Sequence, residues 1–164
     1  MLGFGKKEFA VLDAVPEDYA PLADLHARNF PRGWSVAEIE GLANQPTVTI
    51  LSARLVGKPK ISPAAFNIIR QTDTEAEILS IAVDMTYRRS GLGQQLMREA
   101  IRRLQADRIP ALLLEVDGTN VAAVNMYEKL GFETVGCRPG YYSTSDTDPE
   151  ADRATALVMR LELA

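Results

Sequence analysis

Ile78-Leu79-Ser80-Ile81-Ala82-Val83-Asp84-Met85-Thr86-Tyr87-Arg88-Arg89-Ser90-Gly91-Leu92-Gly93-Gln94-Gln95-Leu96 is the stretch whose reading decides the fold. It opens as an apolar, β-branched run, which predicts a buried strand. A short polar turn with two arginines and two glycines follows. Beyond the turn, Leu92, Leu96, Ala100 and Leu104 recur every four residues, with Met97 and Ile101 beside them. That spacing predicts an amphipathic helix whose outer face is Gln95, Arg98, Glu99, Arg102 and Arg103. The first N–H groups of such a helix have no intrahelical acceptor and sit at the positive end of its dipole. A diphosphate fits that place, and Gly91 and Gly93 let it approach the backbone without a Cβ in the way. Arg88 and Arg89 add charge at the rim. The plain alternative is an ordinary strand-to-helix connection that happens to carry a Gly pair.

Three nucleotide-binding patterns compete for this turn. The P-loop fails because no Lys-Ser/Thr follows the glycines. A dinucleotide fingerprint needs a third Gly where Leu96 stands, although Glu115 lies at a suitable distance for a ribose contact. The third pattern, Arg/Gln-x-x-Gly-x-Gly/Ala, is met by Arg88, Gly91 and Gly93. It is the pyrophosphate-binding signature of the GNAT superfamily of acyl-CoA-dependent N-acyltransferases, which this stretch closely resembles.

Length and composition bound the remaining possibilities. With 164 residues, the chain is predicted to be one domain, 1–164, long enough to bury a real core. No apolar run approaches the roughly 18 residues a membrane helix needs, so no membrane association is expected. The start, Met1 to Lys7, has no apolar segment behind its charges, so no signal peptide is expected and the location is cytoplasmic by default. Cys137 and His26 are the only residues of their kinds. An internal disulfide is therefore impossible, and a His/Cys zinc site cannot be assembled, so no metal is expected. A Ser-His-Asp or Cys-His triad would have to use His26, in a predicted helix. Acid–base chemistry is left to carboxylates, Tyr, Lys or water. The net charge of −4 argues against general nucleic-acid binding and leaves room for basic partners.

Taken in order, Glu8 to Val15 predicts a first strand. Pro16-Glu17-Asp18 opens a helix through Tyr19, Leu22, Ala23, Leu25 and His26, with Pro and the acids suited to its first turn. Asn29-Phe30-Pro31-Arg32-Gly33 breaks it. Ser35 with Glu38 forms a capping box for a second helix towards Asn44. Phe30 and Trp34, between the helices, either plug the core from above or line a substrate groove. Pro46–Ala53 and Ala64–Arg70 read as strands. Ile109-Pro110 ends the central helix, and Ala111 to Val116 makes a strand whose one charge, Glu115, reaches either solvent or a cleft. Asn120 is placed to cap a helix from Val121 to Leu130, and Gly131 stands where a left-handed residue is wanted. Tyr127 lies about two turns beyond Asn120, on the same face. Strands in a meander followed by strand–helix–strand–helix predict an α/β (α+β) domain with a mixed sheet.

The resemblance extends further along the chain. Leu114-Glu115-Val116, Asn120, Ala122-Ala123 and Tyr127 to Phe132 resemble the second signature block of the superfamily. With Ile81 to Asp84, Arg138-Pro139-Gly140-Tyr141-Tyr142, and His26 to Pro31 followed by Trp34-Ser35, the set is similar to its RimI group. Those are bacterial enzymes that acetylate the N-terminal alanine of a small-subunit ribosomal protein. The resemblance implies a GNAT fold: a mixed, mostly antiparallel sheet, splayed between its two central strands, with helices on both faces. It implies acetyl-CoA as co-substrate, lying in that splay. Backbone groups of Ile81, Ala82 and Val83 would pair with the pantetheine. Arg88, Arg89, Ser90, Gly91, Leu92, Gly93 and Gln94 would hold the diphosphate, and Asn120 would contact the cofactor arm. Glu115 carries over as general base and Tyr127 as general acid, with Phe30, Trp34, Tyr141 and Tyr142 as substrate-binding residues. The implied acceptor is a protein N-terminus, that of a ribosomal protein in the RimI group. Another N-terminus, a lysine, a small amine, or a non-catalytic CoA-binding role remain as alternatives. Met85 stands where the family often has Pro. The stretch Ser143–Arg153 is longer and more acidic than in the family (Asp146, Asp148, Glu150, Asp152), and Thr155-Ala156 replaces a common acidic residue. These departures fall where the peptide is expected to enter.

Overall fold

The structure, a computed structural model, describes residues 6–142 and 154–163. The acidic stretch with Asp146, Asp148, Glu150 and Asp152 lies outside the described residues, as do the side chains of Tyr141 and Tyr142. Strand β1 (Phe9–Asp13) leads into a 3₁₀ turn (Pro16–Asp18), helix α1 (Tyr19–Asn29) and helix α2 (Val36–Ala43). Strands β2 (Val48–Leu55), β3 (Ala65–Gln71) and β4 (Ala76–Val83) form a meander. Helix α3 (Leu92–Ala106), strand β5 (Ala111–Asp117), helix α4 (Val121–Lys129) and strands β6 (Glu133–Tyr142) and β7 (Ala154–Glu162) complete the order.

Local chemistry accounts for these boundaries. The Ser35 hydroxyl accepts the Glu38 N–H at 3.2 Å while the Glu38 carboxylate accepts the Ser35 N–H at 2.8 Å, so the predicted capping box starts α2. In α3 the predicted apolar stripe is the buried one: Leu92, Leu96, Met97, Ala100 and Leu104. Helix α4 is followed by Gly131 at φ 98°, the left-handed residue expected there.

The seven strands follow the order β1-β2-β3-β4-β5-β7-β6, and every pairing is antiparallel except β4 with β5. Two cores cover the two faces. Residues of α3 and α4 pack with Leu51, Ala65, Ile78, Leu112, Leu114 and Met159 on one side. Leu22, Leu25 and Ile39 of α1 and α2 pack with Ile50, Phe66, Ile68 and Ala82 on the other. The mixed, mostly antiparallel sheet with helices on both faces is therefore present.

The parallel pair is the weak seam. It holds only at Ala76↔Leu112 and Glu77↔Leu113, although β4 runs on to Val83 and β5 to Asp117. Against β3, Ile68 faces Ser80 while Ile69 faces Ile78, which leaves Leu79 as an extra, bulged residue. A bulge bends and twists its strand. Here it falls where β4 and β5 part company, and the gap beyond it is the splay.

Candidate active site

The chain leaving the gap turns sharply before α3. The Asp84 side chain accepts the Thr86 N–H at 2.9 Å and begins a 3₁₀ turn over Met85–Tyr87. That backbone hydrogen bond, with a smaller contribution from Arg28, holds the Asp84 carboxyl below the usual aspartate range. Arg89 then takes φ 62° and Gly91 φ 80°. A left-handed arginine costs roughly 1–2 kcal/mol, whereas glycine adopts the region freely. Arg89, Ser90, Gly91, Leu92, Gly93 and Gln94 donate their backbone N–H to no acceptor among the described residues; the first bond of this helix runs from Gln95 N–H to the Gly91 carbonyl. Six consecutive orphan donors at a helix start make an anion cradle. A Cβ built on Gly91 would meet nothing within 4 Å, so the cradle opens outward, whereas Gly93 faces inward, with Met126 and Val83 nearest. The turn therefore fits a diphosphate.

The edge of β4 offers a second set of main-chain groups. Asp84 N–H bonds to the Ala64 carbonyl on the β3 side. Main-chain groups alternate in direction along a strand, so those of Val83 and Ile81 point away from β3 and into the gap. The Ala82 side chain packs against the α1/α2 core, while Ile81 and Val83 lean on the opposite one. Arg88 braces this region: its Nε donates to the Val83 carbonyl at 3.4 Å, and its Nη2 to Asn29 Oδ1 at 2.5 Å. With the 2.9 Å pair between Arg28 and Asp84, it ties the end of α1 to the turn. Asn120 caps α4 through its Oδ1, which accepts from Ala123 N–H at 3.2 Å, leaving the amide Nδ2 without an intramolecular acceptor among the described residues.

Glu115 stands on the other bank. Leu112, Leu114 and Val116 of β5 join the α3/α4 core. By strict alternation Leu113, Glu115 and Asp117 face the α1/α2 side. Glu115 is exposed, and its Oε1 lies 3.1 Å from Arg138 Nε. Tyr127 is only 4% exposed and belongs to the α3/α4 core, its ring edge-on to Phe132 with centroids 5.7 Å apart. Burial pushes its phenol up to about 12, so it stays protonated across the neutral range. Glu115 and Tyr127 thus belong to opposite faces of the sheet, on two elements joined by the short turn after β5.

On the α1/α2 face, Phe30 and Trp34 plug the core, the first of the two readings left open by the sequence. Each is half-buried against the core below, and each stacks on His26, with ring centroids 4.4 Å apart in both cases. His26 is the buried centre of this stack. Its Nδ1 accepts the Trp34 N–H at 3.1 Å, and burial lowers its pKa. Gly33 permits the close fold-back of the loop, since a Cβ there would lie 2.7 Å from Ala27 Cβ. His26 is an organiser of the loop rather than a triad member. The structure therefore brings the diphosphate turn, the edge of β4, Glu115 and the aromatic loop around one gap. Sequence patterns passed over Arg28, Asn29 and Arg138 as partners, because side-chain pairs distant in sequence leave no local periodicity.

Comparison with known proteins agrees with this arrangement. The model of the acetyltransferase (GNAT) family matches residues 19–132. The [ribosomal protein bS18]-alanine N-acetyltransferase of Escherichia coli K12 is 39% identical over 101 residues, 62% of this chain and 65% of that enzyme, so the matched stretch spans a little under two thirds of the relative's length. The enzyme of the same name from Haemophilus ducreyi is 33% identical over 91% of this chain and 97% of its own. In three dimensions, the crystal structure of the ribosomal-protein-S18-alanine N-acetyltransferase from Escherichia coli superposes with a TM-score of 0.82 at 29% identity, covering 96% of this chain and 95% of that one. The chain belongs to the GNAT acetyltransferase family.

Proposed function

We propose that the protein is an acetyl-CoA-dependent N-acetyltransferase acting on the N-terminal α-amine of a protein that begins with alanine, the ribosomal protein bS18 being the natural candidate. The observation that carries this reading is the row of six amides, Arg89 to Gln94, without an acceptor among the described residues, at the mouth of the gap between β4 and β5. Those amides would hold the diphosphate, the outward-pointing edge of Ile81 and Val83 would pair with the pantetheine amides, and Asn120 Nδ2 would reach the cofactor arm. Acetyl-CoA, when bound, supplies an acyl thioester with a thiolate leaving group.

The chain's own residues then have proton work to do. An ammonium cannot attack, so its proton must leave first, and Glu115 would receive it through a water molecule. Tyr127 Oη, which keeps its proton at neutral pH, serves as donor towards the sulfur side. Phe30 and Trp34, with Tyr141 and Tyr142, would shape the entry for the peptide. Magnitudes favour an α-amine over lysine. Reference values near 7.8 and 10.4 leave lysine about 2.6 units, or roughly 3.5 kcal/mol, further from its reactive form.

The test uses a peptide with the first residues of bS18, containing an internal lysine, incubated with acetyl-CoA and enzyme. Fragmentation mass spectrometry should place the acetyl group on the alanine nitrogen. Acetyl on the lysine side chain alone, or no acetylation, would reject the reading.

A further inference from the structure

The ion pair between Glu115 Oε1 and Arg138 Nε spans an unusual distance across the sheet. β5 and β6 are not neighbours, since β7 lies between them. Adjacent strands are about 4.8 Å apart, so the two backbones are separated by roughly 10 Å. The register explains how the gap is bridged. Glu115 shares a cross-strand row with Val158 and Gly136, and Asp117 shares the next row with Ala156 and Arg138. Arg138 therefore stands on the same face as Glu115, and its side chain crosses β7 beside Ala156, whose lone methyl leaves the path open.

We propose that Arg138 is a positioning residue for the reaction: it grips one oxygen of Glu115 from across β7 and fixes the orientation of the carboxylate, with Oε2 left to receive the proton of the acceptor amine. This rests on Glu115 being the base, as in the function proposed above. The other charged groups on this face do not replace Arg138. Arg160 is occupied by Glu162 at 2.6 Å and Glu75 at 3.8 Å. Arg28 and Arg32 of the α1 end and its loop are held by Asp84 and Glu38. Asp117, which accepts from Thr119, and Glu77 on β4 are carboxylates and cannot grip Glu115. Because the pair is partly solvated, with side chains 60% and 33% exposed, solvent screens it. The effect to look for is about five-fold in rate.

Arg138→Met, Arg138→Lys and Glu115→Gln test this, with kcat and KM for the Ala-initial peptide and for acetyl-CoA measured separately. Arg138→Met should lower kcat about five-fold, with KM for acetyl-CoA unchanged. Arg138→Lys should restore only part of the rate, because an ammonium cannot reproduce the guanidinium geometry. An Arg138→Met enzyme as fast as wild type or faster, or one whose loss falls on KM for acetyl-CoA rather than on kcat, would overturn the proposal. Glu115→Gln separates the two levels. If its kcat stays within a few-fold of wild type, the base assignment falls and this inference with it. If it loses the rate while Arg138→Met is silent, only the role of Arg138 falls.

Discussion

At the scale of single residues, three side chains carry measurable consequences. Glu115→Gln should lower kcat/KM by about 10²–10⁴-fold, and Tyr127→Phe should lower kcat while sparing acetyl-CoA affinity; steady-state kinetics with both substrates varied reads each directly. If both variants stayed within a few-fold of wild type, the two roles would be wrong. Tyr127 also marks the alkaline stability of the fold. Its pKa is raised by burial to about 12 from 10, so its contribution is intact below pH 10 and is lost as pH rises from 10 to 12, up to about 3 kcal/mol. Urea unfolding at pH 9 and pH 11 should show a steeper loss for wild type than for Tyr127→Phe. His26 works in the opposite sense. Its pKa is lowered, first by burial, so its stabilising contribution is present above pH 6.5 and fades as pH falls towards the folded value. Protonated Nδ1 can no longer accept the Trp34 N–H. Since Trp34 is the only tryptophan, its fluorescence should report the α1–α2 loop loosening between pH 7 and pH 5, and His26→Gln should flatten that response.

At the scale of elements, the turn before α3 is the critical piece. Gly91 at φ 80° leaves the cradle open; Gly91→Val forces a β-branched residue into the left-handed region and puts its side chain where a diphosphate must sit. Calorimetry should show acetyl-CoA binding abolished in a variant that still melts cooperatively, and unchanged affinity would reject the placement. The link between α1 and this turn is gentler. Arg28 and Asp84 have side chains 59% and 18% exposed, and so exposed a pair contributes about 0.2–1 kcal/mol. Arg28→Ala is accordingly expected to change KM for acetyl-CoA by no more than about five-fold. Much of this architecture was legible from local pattern: the stripe of α3, the capping box of α2, the Asn120 cap and the left-handed Gly131 each have a short-range cause. The bulge at Leu79 was not legible, because it is a property of pairing with β3 rather than of the run Ile78–Val83. Nor was Arg138 as partner of Glu115, which depends on β7 inserting between β5 and β6.

At the scale of the whole molecule, the gap between β4 and β5 is a break through which the two faces of the sheet communicate. Glu115 and the aromatic loop lie on the α1/α2 side, while Tyr127 sits in the core under α3 and α4. An acceptor amine arriving from one face and an acyl donor lying along the break can therefore meet without either crossing a paired sheet. The general character of that break is implied by the family resemblance; its physical cause, two pairs of matched residues followed by a bulge, is visible only in the strand register. The central claim is that this break and the turn beside it are where acetyl-CoA binds. A ¹H–¹⁵N titration of the protein with acetyl-CoA tests it residue by residue. The amides of Arg89 to Gln94, together with those of Ile81 and Val83, should show the largest shifts and saturate together. Saturable binding that left these amides unmoved and shifted another surface would contradict it.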